Sequence, residues 1–401
     1  MKKILILSGI HVCHNPRVVK EADLLAGEGY EVVVLGMASL PHLREEDLEL
    51  AKGRKWKLRE VPGPISEGMK GKRGRYGLVK KAADLLAAVS GWQTEAQLGG
   101  WRKDLLREAW RIPADLTIAH SAPTLWVARE LCRKGRAVAA DFEDWFSQTH
   151  EKSCHHPHRV IKALEQEILQ KGKYVTCTSR AIAEAMEKDY GKRPEVIYNS
   201  FPLEAAPAPA SAPGPEGPKV IWISQALGPG RGLEMLMEAL GLCEPIFTLT
   251  LVGNSQGDYR SELERKIPDR WRGKVFFQGQ VKDRDVMRLI SSHHVGLALE
   301  QNIPKNRDLT VTNKILQYLL GGLAVVATET QGQVEVAQDA PSAIRTIPLG
   351  KSKGLAESLR EIAANPSALQ KARVEARKVA EQRFCWEVEK KRLLLAFERS
   401  L

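Results

Sequence analysis

Short runs of consecutive apolar residues recur along the chain, separated by stretches in which apolar positions return every three or four residues. The first run, Ile4-Leu5-Ile6-Leu7, has no polar interruption and predicts a short buried strand. Its apolar stretch is too short for a secretory signal and runs straight into a Ser8-Gly9 turn. Asn15-Pro16 then offers an N-cap and a proline at the first helical position, and Val18, Ala22 and Leu25 follow at helical spacing. Gly27 and Gly29 end that helix, and Glu31-Val-Val-Val-Leu-Gly36 predicts a second buried strand. Strand, helix and strand in this order form the βαβ unit of a doubly wound parallel sheet. The alternation resumes with strands expected at 115–120, 137–141, 174–178 and 195–199, and helices at 122–133, at 159–172 and up to Tyr190.

From Phe201 to Pro218 the chain turns rich in proline and alanine and poor in large apolar residues, which predicts a linker over 201–218. A second series then begins. Strands are expected at 219–224, 247–252, 274–277, 295–300 and 324–328, with helices at 232–241, 259–267, 283–292 and 311–320. The last fifty residues read as two or three further helices. The expected organisation is an α/β fold of two doubly wound Rossmann-like domains facing a central cleft. They would span 1–200 and 219–375, with a helical segment, 376–401, packing back on the first.

Composition narrows the class. The 401 residues are 43% hydrophobic and 27% charged, which excludes a disordered chain. No run of eighteen uncharged apolar residues is present for a membrane-spanning helix. Six scattered cysteines suit a reducing cytoplasm. The net charge is +11, and 52–81 alone carries eleven lysines and arginines against two glutamates. A stretch with an apolar face, Tyr76 to Val89, follows it, and then Trp92 and Trp101. Basic residues beside such a stretch read as a peripheral membrane contact over the region from Lys52 to Trp101, at the inner face of the membrane, or as a solvated loop over an ordinary core helix. No nucleic-acid module is recognised, so nucleic acid is not an expected partner.

Open α/β sheets bind ligands at the carboxyl ends of their strands, so the loops there are the places for chemistry. One is Gln225-Ala-Leu-Gly228-Pro-Gly230-Arg231-Gly232, where glycines and an arginine open a helix and suit a phosphate. Another is Leu309-Thr-Val-Thr-Asn313-Lys314-Ile-Leu-Gln317, in which Thr312 or Asn313 can cap a helix. Lys314 opposes the dipole of that helix unless an anion meets it. Two such helix starts in one domain favour a diphosphate over a chance pair.

These segments carry a resemblance. The chain resembles a family 4 glycosyltransferase of the GT-B fold in an ordered series of pieces. The series runs through Asn15-Pro16-Arg17, Lys20-Glu21-Ala22, Asp115 to His120, Val196 to Asn199, Gly228 to Gly232, Leu251-Val-Gly253, Phe276 to Gly279, Asn313 to Tyr318, Gly322 to Ala327 and Arg383 to Trp386. The resemblance implies retaining transfer from a nucleotide sugar on the second domain to a glycan or lipid-linked acceptor on the first. Cell-envelope or exopolysaccharide synthesis is the expected setting. It implies His120 as the active-site histidine touching the transferred sugar, and Arg231, Lys314, Gly230 and Asn313 at the donor diphosphate. Gln317 and Glu300 fall to the donor ribose and sugar, and Arg17, Lys20 and Glu143 to the acceptor side. It implies no metal and no cofactor. The sequence departs from the family pattern at Gln317, where relatives often carry a glutamate, and at Leu309, where a second glutamate is usual; Asp308 or Glu300 stand near enough to compensate.

Other signals carry less. Asp283-Arg-Asp285 spells a metal-binding motif of other glycosyltransferases but opens a helix, where aspartate is a routine cap. Cys154-His155-His156-Pro157-His158 has soft-metal chemistry with its ligands too close together for a standard zinc site. A catalytically silent nucleotide-sugar-binding protein and a nucleotide-sugar epimerase are the alternatives of the same fold. A Rossmann oxidoreductase would need Gly-x-Gly-x-x-Gly after a first strand, and neither first strand is followed by it.

Overall fold

A computed structural model describes residues 1–62, 70–151 and 156–400, with 70–73 described as backbone only. The chain divides into two compact units, one of 1–178, 182–197 and 390–401, the other of 179–181 and 198–389.

The first unit holds the strands β1 (Lys3–Ser8), β2 (Glu31–Ala38), β3 (Lys57–Pro62), β4 (Leu116–His120), β5 (Val138–Phe142), β6 (Val175–Cys177) and β7 (Glu195–Val196). All described pairings are parallel and the order is β3-β2-β1-β4-β5-β6-β7. Along the chain run α1 (Pro16–Gly27), α2 (Pro41–Ala51), α3 (Lys70–Ser90), α4 (Arg102–Arg111), α5 (Ala122–Arg133), α6 (His158–Lys171) and α7 (Arg180–Tyr190). The Asn15 side chain accepts from Val18 N at 3.2 Å with Pro16 at the first helical position, and Val18, Ala22 and Leu25 are buried, as their spacing predicts. β3 lies inside the basic stretch, where no strand is expected from the sequence. Its residues alternate between exposed and covered at the sheet edge, where lysine and arginine keep their heads in water.

The second unit holds β8 (Lys219–Leu227), β9 (Thr248–Ser255), β10 (Val275–Gln278), β11 (Val295–Ala298), β12 (Ala324–Thr328) and β13 (Ile344–Ile347) in the order β10-β9-β8-β11-β12-β13. Its helices are α8 (Leu233–Gly241), α9 (Tyr259–Lys266), α10 (Asp283–Ser291), α11 (Lys305–Leu309), α12 (Asn313–Leu320), α13 (Gln331–Asp339), α14 (Ser352–Ala364) and α15 (Pro366–Arg383). A last helix, α16 (Trp386–Glu398), carries the chain from this unit to the first. The core of the second unit gathers Trp222, Phe247, Trp271 and Val326, all fully buried. β8 runs three residues past the expected end, through a register shift between Ile223 and Ala226, so Gln225 belongs to a strand and not to the loop.

The stretch expected as a linker is tied to the second unit. Arg373 donates to the carbonyls of Ala210 and Ser211, and Ala210 N donates to Ser291 O at 2.8 Å. Within the first unit, Phe397 of α16 packs edge-on against Tyr30, with centroids 4.9 Å apart.

Both sheets have the 3-2-1-4-5-6 strand order of doubly wound folds. The order reverses between β1 and β4 in one and between β8 and β11 in the other. Ligands bind outside the carboxyl ends of the strands at such a reversal. Two loops in each unit are thereby singled out, those after β1 and β4 and those after β8 and β11.

Candidate functional site

In the first unit, Ser8 at the end of β1 lies opposite His120 at the end of β4. His120 is fully buried, and both ring nitrogens face carboxylates: Nε2 is 2.7 Å from Glu21 Oε2 and Nδ1 is 2.8 Å from Glu143 Oε1. Ionised carboxylates only accept, so the ring must donate twice and is an imidazolium. Burial opposes that charge, but the hydrogen bonds it donates to Glu143 and Glu21 outweigh the cost and raise the pKa to about 10. Arg17 forks onto Asp141 at 2.6 and 2.8 Å and donates to Ile197 O. Burial works against the Asp141 carboxylate, yet the Arg17 and His120 charges hold its pKa down. Tyr174 donates to Glu21, Thr176 to Asp141, and Asn15 Nδ2 to the same Glu143 oxygen that meets His120.

Of the sequence-predicted residues of this unit, Arg17, His120 and Glu143 are thus brought together in one network. Arg17 is a buried strut for Asp141, and Lys20 lies half-buried on α1. His120 has no exposed surface here, whereas the Glu143 side chain keeps 23% of its own. Glu143 is therefore the most exposed member of this network. Neither Glu21 nor Tyr174 stands out in the sequence as a site residue. The signal was present, because Arg17 and Glu21 stand four apart among Val18, Ala22 and Leu25 on the buried face of α1. Ser121, next to His120, is the one described non-glycine residue with positive φ (85°, ψ 154°), and its buried hydroxyl meets no partner.

In the second unit the loop after β8 opens α8 through Gly232, at φ +79°. A Cβ there would stand 2.3 Å from Leu299 O, so only glycine lets the loop approach the end of β11 this closely. Arg231 Nη1 donates to Ser224 Oγ at 2.8 Å. Lys314, in the first turn of α12, pairs with Glu300 at 2.5 Å and lies over the Trp222 ring, 5.0 Å from its centroid. Burial opposes ionisation of Glu300, but Lys314, and then Arg307 and Arg231, lower its pKa. Arg307 on α11 also donates to Gly230 O at 3.0 Å, a third cation that the sequence did not point to because it joins the loop across 77 positions.

Thr312 takes the N-cap position of α12 without bonding through its side chain, and its buried hydroxyl has no partner. Asn313 does not cap but accepts from Asn199 at 2.9 Å. Gln317 lies half-buried one turn on. Leu309 is buried and cannot replace a carboxylate, while Asp308 is committed to the start of α13, accepting from Gln331 N and Nε2.

The residues 17–205 match the family description Glycosyltransferase Family 4, and 217–365 match Glycosyl transferases group 1. The chain belongs to the family 4 glycosyltransferases. No curated protein matches it. Among solved structures this glycosyltransferase is similar to HepE of Anabaena in complex with UDP and glucose, at 19% identity and a TM-score of 0.72 over 99% of this chain and 100% of that one. It is similar to sucrose-phosphate synthase of Thermosynechococcus elongatus (14%, 0.70, 100% and 99%). It is also similar to a TarM variant of S. aureus in complex with fondaparinux, alpha-GlcNAc-glycerol and UDP (11%, 0.71, 99% and 100%). These likenesses show the GT-B fold.

Asp283 and Asp285 lie in the first turn of α10 behind an N-cap at Lys282, where their charge suits the helix dipole. Cys154 and His155 lie outside the described residues. His156 bonds the Phe146 carbonyl, and His158 meets Gln93. No described helix is long and apolar enough to cross a membrane.

Proposed function

We propose that this glycosyltransferase takes its sugar from a nucleoside diphosphate donor held by the second unit. It passes the sugar with retention to a glycan or lipid-linked acceptor received by the first, in building an envelope or secreted polysaccharide. The observation that carries the reading is the gathering of Arg231, Arg307 and Lys314 around the Gly230–Gly232 turn and the start of α12, at the strand-order reversal. Negative charge grows on the diphosphate as the glycosidic bond breaks, and fixed cations aimed there stabilise the transition state. The unpartnered Thr312 hydroxyl supports a ligand at the same helix start. Gln317, one turn on, is left to bond a ribose hydroxyl. The complexes of HepE and TarM with UDP make uridine nucleotides the first donors to try. On the acceptor side, Glu143 is the group offered to the substrate, held by Asn15 and His120.

The acceptor is membrane-borne in this reading, which α3 supports. Leu78, Leu85 and Val89 are 70%, 65% and 82% exposed and share one face, with Arg75 and Lys81 exposed beside them and Trp92 beyond the helix end. An apolar helix face ringed by cations suits the surface of an anionic bilayer.

A thermal-shift screen against nucleotide sugars, followed by product analysis with the best donor, tests the donor reading, since a bound donor raises the melting temperature. No shift with any nucleotide sugar would overturn it. Sedimentation with phosphatidylglycerol vesicles tests the membrane contact: binding is expected and should be lost in the Leu85→Glu, Val89→Glu double variant. Binding unchanged in that variant would remove α3 from the proposal.

A further inference from the structure

The turn between β1 and α1 carries a second group of donors that the glycosyltransfer reading does not use. Cys13 and His14 sit in a one-turn 3-10 helix, Val12–His14, and Glu46 reaches them from α2. Their thiol, imidazole and carboxylate donor atoms all lie within 4.8 Å of one another. The group stands on a rigid base. Asp47, the next residue of α2, accepts from Cys13 N and faces His11 Nδ1, both at 2.6 Å. His11 Nε2 in turn accepts from Ser39 N and Leu40 N at 3.0 and 3.1 Å. His11 and Asp47 are buried, while His14 and Glu46 are exposed and free to turn toward a common point.

We propose that Cys13, His14 and Glu46 form a binding site for a divalent cation of the zinc class, which fastens the β1–α1 turn to α2. The chemistry of the donors decides the class. One thiolate and one imidazole suit zinc and disfavour magnesium and calcium, which take oxygen ligands. A thiolate and a carboxylate together neutralise a dipositive ion. Three protein ligands leave a fourth tetrahedral position for water. Zinc-to-ligand distances are about 2.0–2.3 Å, and the exposed His14 and Glu46 side chains are placed to adjust to them. The Cys13 thiol now lies 3.7 Å from Leu43 O and releases its proton on binding. Asn15, the cap of α1 and the partner of Glu143, follows directly, so the cation would hold the turn that carries it.

Cobalt(II) is the probe, because a thiolate ligand gives it a charge-transfer absorption and tetrahedral geometry gives strong visible bands. The full chain is titrated with cobalt and then with zinc. One equivalent should bind with the thiolate band, and zinc should displace it. The band should disappear in Cys13→Ser and persist in Cys154→Ser, which removes the cysteine of the other histidine-rich stretch. His14→Ala and Glu46→Gln should each weaken binding by about tenfold or more. These side chains are on the surface, so the metal-free variants should melt like the parent. No thiolate band in the parent chain would overturn the proposal, and so would a band that survives Cys13→Ser or is lost in Cys154→Ser.

Discussion

Lys314 Nζ and the Glu300 carboxylate meet at 2.5 Å, both buried, with the Trp222 ring beneath the ammonium. The pair sets a cation at the start of α12 in one geometry, where a mobile lysine would oppose the helix dipole. Lys314→Ala should weaken nucleoside diphosphate binding by about 1.5–3 kcal/mol, the loss of a charge-assisted contact. It should also lower stability, since Glu300 is left buried without its counter-ion. Glu300→Gln separates the two roles: stability falls, while the freed cation keeps or strengthens its grip on the diphosphate. Calorimetry with UDP and a melting curve on each variant check both arms. Diphosphate affinity unchanged in Lys314→Ala would remove the residue from the donor site.

Arg307 is the less obvious cation. Its Nη1 holds the Gly230 carbonyl at 3.0 Å, so it both stiffens the loop and adds charge beside Arg231. Arg307→Ala should weaken UDP binding by about 1 kcal/mol or more, and Arg307→Lys should restore the charge without the hold on the loop. Ser224→Ala, which removes the oxygen that Arg231 leans on, should cost less, about 0.5 kcal/mol. Calorimetric affinities for one nucleotide across the three variants test that ranking.

The doubly wound class could be read from the chain because it rests on local signals. Apolar runs, the Asn15-Pro16 start and the glycine stops lie within a few residues of one another, and the helices at 122–133 and 232–241 emerge within a residue of their expected ends. Edge elements were harder. β3 and β13 are partly exposed along their length, so they lack the continuous apolar run that marks β1 or β12. The site was legible only as separate pieces. Arg231, Lys314 and His120 stand out by type and place, but Glu21, Asp141, Tyr174 and Arg307 act through partners many positions away. Spacing along the chain does not encode such contacts. Even the role expected of His120 depended on exposure, which only packing decides.

The same buried ring makes stability depend on pH. Its folded pKa is about 10, above the ordinary histidine value of 6.5, because Glu143 and Glu21 outweigh the cost of burial. A raised pKa in the folded state means that the contribution is complete below pH 6.5 and is lost as pH rises through about 10. The melting temperature of the protein should therefore fall between pH 7.5 and pH 10. His120→Gln should be less stable at neutral pH, by about 3–5 kcal/mol for a broken buried pair, and should show a flatter decline. Parallel slopes for the two proteins over that range would mean that the ring is not charged in the folded state.

Ser121, directly after His120, has φ 85° and ψ 154°, a region that only glycine enters without strain. Backbone strain of this kind costs of the order of 1–3 kcal/mol and persists only when the surroundings impose it. The surroundings are visible: a Cβ on Gly9 would stand 2.0 Å from Ser121 Oγ, so β1 and the start of α5 press together at this point. Ser121→Gly removes the Cβ that makes the conformation costly, at the expense of a more flexible unfolded chain. The net expectation is a gain of about 1 kcal/mol and a higher melting temperature. Ser121→Ala keeps the Cβ and removes only the unpartnered hydroxyl, so a gain shared by both variants belongs to the hydroxyl and the excess in the glycine variant to the backbone. If the strain serves to seat His120 and Glu143, sugar transfer by Ser121→Gly should fall as its stability rises. Equal melting temperatures for the glycine and alanine variants would show instead that the neighbouring contacts, and not the Cβ, set the cost of this turn.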